Sequence, residues 1–352
     1  MCPKASNFRR AIVALLVIVA GLGTGKPHGI AAQDLQLADL GNCPLESGAV
    51  IRGCVIGYRT AGELNEDASN AVLFPSWGNG TSEQLPGSYV GPEGWANPDE
   101  HFVIMVDLFG NGVSSSPSNS LEHPGEAFPT FTIRDVVRAQ HRLVTEVLGL
   151  DGLHAVVGIS LGAFAVFEWT TTFPGFVANA VPVVGTPRVS PYDLLRSDLA
   201  RRILEGCAPD RCDEALEAYF SHYLVLIRSP GHWNRMLSRE AMLELISTIP
   251  QRARNFPHAE DILAQGRALE QMDVTEPFGG SMEAAAEVVE ARMLIVVASR
   301  DALVTPEASR EFARLTGARL LELDSDCGHQ AFVCEEDSLG QAIRDFLRLP
   351  SP

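Results

Sequence analysis

Apolar residues fall along this chain in two alternating textures: short unbroken runs, and longer stretches at helical spacing. Residues 71–74 and 102–106 are nearly continuous apolar runs of strand length, the pattern of strands buried on both faces in a parallel sheet. Residues 49–59, 154–158, 293–298 and 319–323 add four more strand candidates. A seventh, residues 177–184, is weakened by Pro182, which has no N–H for a ladder. Thr132 opens a helix on which Ile133, Val136, Val137, Val144, Val147 and Leu148 share one face until Gly149 ends it. Helix signals return over 161–172, with no Pro until Pro174, and from Glu335 to Leu347. Alternating strands and helices predict an α/β architecture with a mostly parallel, doubly wound sheet.

The texture changes between residues 186 and 282. That stretch is charged, helix-rich and broken by Pro209, Pro230, Pro250 and Pro257, with no clear strand. It predicts a helical lid inserted between two parts of one core, residues 33–185 and 283–352. Trp233, Met236, Met242, Tyr219, Phe220 and Tyr223 then read as lid core, some of them lining a pocket beneath it.

Residues 1–32 have the form of a secretory signal peptide: Lys4, Arg9 and Arg10, then the uncharged apolar run 11–23, then small residues ending at Ala31 and Ala32. About thirteen apolar residues are short for a bilayer span, so an uncleaved anchor is the lesser alternative. Cleavage removes Lys4, Arg9, Arg10 and Lys26 and no acid, moving the formal charge from −17 to −21. So acidic a chain is a poor partner for nucleic acid or anionic membranes, and no later stretch is long and apolar enough to insert in a membrane. A secreted or periplasmic protein is expected, with its oligomeric state open.

Cysteine spacing agrees with export. Apart from Cys2 the cysteines form three close pairs, Cys43 with Cys54, Cys207 with Cys212, and Cys327 with Cys334. Spacing suggests these bridges among about fifteen connectivities. A structural zinc site is the rival reading, but C-x-x-C spacing is absent and an oxidising compartment favours disulfides.

The chemistry centres on Gly158-Ile159-Ser160-Leu161-Gly162, a G-x-S-x-G turn between a predicted strand and a predicted helix. Glycines on either side allow a sharp turn that exposes the serine hydroxyl at the top of a sheet. A serine needs a base and an orienting carboxylate to act as a nucleophile. Asp301 follows the strand 293–298, and His329 follows the strand 319–323. Ser160, Asp301 and His329 thus occur in the order used by α/β-hydrolases, each just past a strand end. Asp324 and Asp326 are alternative acids.

Several segments together resemble the homoserine O-acetyltransferase branch of the α/β-hydrolases. They are residues 57–65 (GYRTAGELN), residues 102–104 leading to 107–112 (DLFGNG), residues 128–140 with Arg134-Asp135-Val136-Val137-Arg138-Ala139-Gln140, the elbow with Phe167-Glu168-Trp169, and the ending Gly328-His329-Gln330-Ala331-Phe332. The resemblance implies an α/β-hydrolase fold with Ser160 as acyl nucleophile, Asp301 as orienting acid and His329 as base. It implies oxyanion donors from the Leu161 N–H and from the Trp77-Gly78 turn. It also gives Arg196 as the counterpart of a carboxylate-binding arginine. Two differences stand out. Gln330 replaces an acidic residue that in such transferases can pair with a substrate ammonium, and the elbow carries Leu161 and Ala163 where Met and Gly are usual.

The reading that results is an exported serine hydrolase for a small carboxylic ester, working through an acyl-enzyme, with no cofactor and no metal. Acyl transfer of the homoserine O-acetyltransferase type is the alternative; a non-catalytic binding protein on a hydrolase scaffold is a second.

Overall fold

The structure, a computed structural model, describes residues 33–205 and 212–348. The expected signal segment and Cys207 lie outside the described residues. In chain order the strands are β1 Gln36–Asp39, β2 Asn42–Pro44, β3 Val50–Arg52, β4 Val55–Ala61, β5 Ala71–Pro75, β6 Phe102–Val106, β7 Leu153–Ile159, β8 Val177–Val183, β9 Arg292–Ala298 and β10 Arg319–Leu323. Helices α1 Ile133–Arg142 and α2 Leu161–Thr172 flank β7. Between β8 and β9 come α3 Pro191–Glu205, α4 Asp213–Ile227, α5 Pro230–Met236, α6 Arg239–Ser247, α7 Ile249–Ala253, α8 Ala259–Glu270 and α9 Met282–Glu287. Helix α10 Glu307–Thr316 joins β9 to β10, and α11 Ala331–Cys334 and α12 Glu336–Leu347 follow. No helix among the described residues is long and apolar enough to cross a membrane.

Eight strands form one sheet in the order β1-β4-β6-β5-β7-β8-β9-β10. β1/β4 and β4/β6 pair antiparallel, and every later neighbour is parallel. Alternation along the strands divides the core in two. Val72 and Phe74 of β5 and Ala155, Val157 and Ile159 of β7 face a layer containing Trp95, Phe332, Leu339 and Phe346. Leu73 and Val156 face the opposite layer, with Val137, Phe164, Phe167, Trp169 and Phe312. Helix α2 belongs to this second layer and is buried on almost every side, which explains why its sequence is apolar without a polar face.

Three sequence expectations are modified. The strand candidate 49–59 is two strands, because the chain turns at Gly53 with φ +58°; β3 leaves the main sheet to pair with β2. The helix opened by Thr132 is α-helical only to Arg142 and continues as a wider π-helical turn over Leu143–Val147. Pro182 sits inside the sheet, between β7 and β9. It is accommodated because β8 pairs with β9 at Asn179, Ala180 and Val183, skipping the residue without an N–H.

Several residues that carry the family resemblance turn out to hold the scaffold together. Buried Arg134 binds Glu168 at 2.5 Å, Glu46 at 2.8 Å and Glu276 at 2.8 Å. Asp135 caps α1 through the Thr132 N–H and accepts from Glu46 N at 2.9 Å. Trp169 Nε1 donates to Gln140. Burial pushes the Glu168 carboxyl up while Arg134 draws it down, so the pair depends on the guanidinium. Arg134→Ala should therefore lower the stability read by urea unfolding by about 3 to 5 kcal/mol, while Glu276→Gln, at an exposed end of the network, should cost less than about 1 kcal/mol.

Candidate active site

The turn from β7 into α2 is set by two contacts too close for any side chain. A Cβ on Gly158 would lie 2.4 Å from the Gly162 carbonyl oxygen, and one on Gly162 would lie 2.7 Å from Pro75 O and 2.9 Å from Ser76 O. The backbone between them is driven into a conformation that L-residues avoid, with Ser160 at φ 54°, ψ −121°. The hydroxyl consequently stands at the C-terminal edge of the sheet.

Two loops meet it there. His329 Nε2 lies 3.0 Å from Ser160 Oγ, and His329 Nδ1 lies 2.7 Å from Asp301 Oδ2. The other carboxylate oxygen of Asp301 accepts the N–H groups of Leu303 at 2.8 Å and Val304 at 2.9 Å, which fixes its orientation. His329 and Asp301 are both buried. An ionised Asp301 can only accept, so it holds the imidazole proton on Nδ1 and leaves Nε2 bare toward the serine. The alternative acids do not take this place. Asp324 pairs with Arg300, and Asp326 binds Arg235 through both oxygens, which draws its carboxyl down to about 2.

Gly78 packs beside Leu161, and both line a cavity of about 110 Å³ together with Ser160, Asn79, Arg196, Tyr219 and Tyr223. Their N–H groups meet no protein acceptor among the described residues. Trp77, the other residue of that turn, directs its ring onto Tyr89 at 5.7 Å. Arg196 Nε is buried with no hydrogen-bond partner among the described residues. Burial pushes its guanidinium down, against the pull of Asp193, Tyr219 and Asp301. Burial pushes both tyrosine hydroxyls up, so these two groups of the wall stay neutral. Gln330 is buried next to His329 and does not line the cavity.

The support for this site was invisible to sequence reasoning. Asn79, at φ 61°, donates its N–H to Gln265 Oε1 at 2.8 Å, and Gln265 Nε2 donates to Phe109 O, so a helix of the region between β8 and β9 clamps the turn bearing Gly78. Asp107 holds the next residues by accepting from Ser82 N and Oγ, and Asn111 Nδ2 donates to Gly80 O. Asp193 on α3 accepts from Thr305 N and Oγ1, tying the helix that carries Arg196 to the loop that carries Asp301. These partners are separated by about 25 to 190 positions and share no motif; only the Asp-x-x-Gly-Asn-Gly run at Asp107 carries a local signal, as part of the family resemblance.

The cysteines can be placed as well. Cys43 and Cys54 are bonded, Cα atoms 5.7 Å apart, as are Cys327 and Cys334 at 6.5 Å. Cys212 is disulfide-bonded, and the partner expected for it, Cys207, lies outside the described residues.

Residues 83–335 match the family described as alpha/beta hydrolase fold. The chain belongs to the α/β-hydrolases. It lies in their homoserine O-acetyltransferase-like branch and is an enzyme. An ethyl acetate hydrolase of Pseudomonas veronii is 30% identical over 301 residues, covering 80% of this chain and 84% of that one. A homoserine O-acetyltransferase of Geotalea daltonii is 30% identical over 349 residues, covering 86% and 94%. The crystal structure of an acetylester hydrolase from Corynebacterium glutamicum superposes with a TM-score of 0.84 at 27% identity, over 90% of this α/β-hydrolase and 96% of that chain. Gly162→Ala tests the elbow itself: with its Cβ forced against two carbonyls, hydrolase activity is expected to fall on the order of a hundredfold or the protein to misfold, read by turnover alongside circular dichroism.

Proposed function

We propose that this enzyme hydrolyses short-chain carboxylic esters outside the cytoplasm through an acyl-enzyme on Ser160. The observation that carries the reading is the unbroken hydrogen-bonded relay from Asp301 through His329 to Ser160, at 2.7 and 3.0 Å. His329 Nε2 takes the hydroxyl proton as Ser160 attacks the ester carbonyl, and Asp301 stabilises the imidazolium that results. The N–H groups of Leu161 and Gly78 receive the developing oxyanion, with the Trp77 N–H as a third candidate donor. His329 then passes its proton to the departing alcohol. Water, deprotonated by His329, releases the acid.

Substrate size follows from space. A cavity of about 110 Å³ is smaller than the roughly 150 Å³ that accommodates benzene in an engineered protein core, so it suits an acyl group of a few carbons. The ethyl acetate hydrolase and acetylester hydrolase relatives support the same range. Arg196, whose Nε lacks a partner among the described residues, is assigned to a polar or anionic part of the substrate, while buried Gln330, next to His329 in the chain, helps shape the base loop. The basic and apolar leader, residues 1–32, and the paired cysteines support export.

Transfer of an acyl group to homoserine is the second reading, favoured by the 30% identity to a homoserine O-acetyltransferase. Against it, Gln330 offers no charge for an amino-acid ammonium, and outside the cell water is the abundant acceptor.

Ser160→Ala should abolish both turnover of aryl acetates and labelling by a fluorophosphonate probe; labelling that survives would place the nucleophile elsewhere. Asp301→Asn should lower kcat by about 10⁴ by favouring the wrong tautomer. Across aryl esters of graded length, kcat/KM should fall beyond about four acyl carbons. Formation of O-acetylhomoserine from acetyl-coenzyme A faster than acetate release would reverse the choice between hydrolysis and transfer.

A further inference from the structure

Beside the proposed base lies a second group of side chains that ester hydrolysis does not use. The Cys327–Cys334 bridge closes a ring containing His329. Its two cysteines differ in exposure, Cys327 being buried and Cys334 exposed. Helix α5 holds this ring from the lid side. Ser229 Oγ donates to Asp326 O at 2.5 Å, and buried His232 sets Nδ1 3.4 Å from Cys327 Sγ and 3.4 Å from Asp326 Oδ1. The other ring nitrogen, Nε2, lies 3.0 Å from Arg228 Nη1, which is also 3.6 Å from Cys334 Sγ.

This arrangement fixes a tautomer. A guanidinium only donates, so His232 Nε2 accepts, and the proton of the neutral imidazole sits on Nδ1, facing Cys327 and Asp326. Burial, with Arg228 beside it, holds the imidazole below its usual range and so keeps it neutral. His232 and the two sulfurs are grouped tightly enough for a metal ion, but a metal on Nδ1 would shift the ring proton to Nε2 and set it against the Arg228 N–H. The group is therefore built to stabilise a thiolate on Cys327.

We propose that the Cys327–Cys334 bridge is a thiol–disulfide exchange site that governs turnover through the placement of His329, with a small aliphatic thiol as reductant. The reductant's thiolate attacks the exposed Cys334 sulfur. The Cys334–Cys327 bond breaks, and its electron pair leaves on Cys327 as a thiolate that accepts the His232 Nδ1–H bond. A second thiol molecule, as thiolate, attacks the reductant's sulfur in the mixed disulfide, releasing the reductant as its own disulfide and Cys334 as a thiolate. Cys334 then takes up one of the two protons the reductant gave up and the other passes to solvent, Cys327 remaining a thiolate on the His232 donor. Opening the ring frees the segment between Cys327 and Cys334 to shift, and His329 Nε2 loses its set distance to Ser160. The enzyme is thus active where disulfides persist and attenuated where thiols stay reduced.

The regulatory step rests on His329 being the catalytic base, so the test reads exchange and turnover separately. Full-length enzyme is equilibrated in glutathione buffers of graded ratio, digested for mass spectrometry, and assayed on an aryl acetate. Glutathione is expected on Cys334 and not on Cys327, and kcat is expected to fall about tenfold, reversibly, with KM within about twofold. His232→Ala should require about tenfold more reduced glutathione to open the bridge, because the leaving thiolate loses its donor. Cys327→Ala/Cys334→Ala should be slow in every buffer, whereas Cys43→Ala/Cys54→Ala should still respond. Glutathione on Cys327, an unchanged midpoint in His232→Ala, or unchanged kcat with alkylation proving the bridge open would each overturn the proposal. An oxidised enzyme that neither hydrolyses esters nor takes a fluorophosphonate label would instead refute the hydrolase reading, while the exchange is still scored by mass.

Discussion

The structure turns on a backbone contact rather than on a side chain. At the β7–α2 turn the Gly158 and Gly162 backbones, and the Pro75–Ser76 carbonyls of the neighbouring strand, approach to distances at which a Cβ has no room. That closeness lets α2 start directly above the sheet and holds Ser160 in a positive-φ conformation costing about 1 to 3 kcal/mol. The strain is sustained by what surrounds it, since α2 is buried almost throughout and its Phe164, Phe167 and Trp169 lie in one apolar layer. A rigid floor of this kind is what allows a hydroxyl to be presented in one place.

Everything else in the site is brought to that point by loops leaving the same edge of the sheet. Parallel strands β5, β7, β9 and β10 end on one side, so the segments bearing Gly78, Ser160, Asp301 and His329 converge there although they are up to about 250 positions apart in sequence. Their precise placement comes from the helices between β8 and β9. Gln265 holds the turn beside Gly78, Asp193 holds the loop after Asp301, and Ser229, His232 and Arg235 hold the loop before His329. These helices act as a frame for the Ser160, Asp301 and His329 loops and line part of the cavity beside them. Such bonds are individually worth about 1 kcal/mol, but each fixes a loop whose displacement by about 1 Å would disturb the chemistry.

Much of this was legible from residue pattern alone, for physical reasons. The apolar runs at 71–74, 102–106 and 293–298 could be read as strands because burial on both faces admits few other residues. Ser160 could be found because the turn requires glycines at fixed offsets, a constraint written locally in the chain. What was misread also has causes. The split at Gly53 depends on a single φ; the strand around Pro182, by contrast, forms as expected, because the ladder with β9 skips the proline. The resemblance segments around Arg134 and Glu168 suggested function in company with the elbow, yet their side chains meet each other inside the scaffold.

By itself, then, the chain determined its alternating architecture, its acidic surface charge and the order of its reactive residue types, because each of these is set by local sequence or composition. Tertiary structure alone decided which carboxylate faces His329, leaving Asp324 and Asp326 with arginines of their own, and which amides beside Ser160 have no acceptor among the described residues. It also decided that His232, from the helices between β8 and β9, stands against the disulfide that encloses His329. Those outcomes depend on distances between segments remote in sequence, and hydrogen bonds form according to such distances and not according to spacing along the chain.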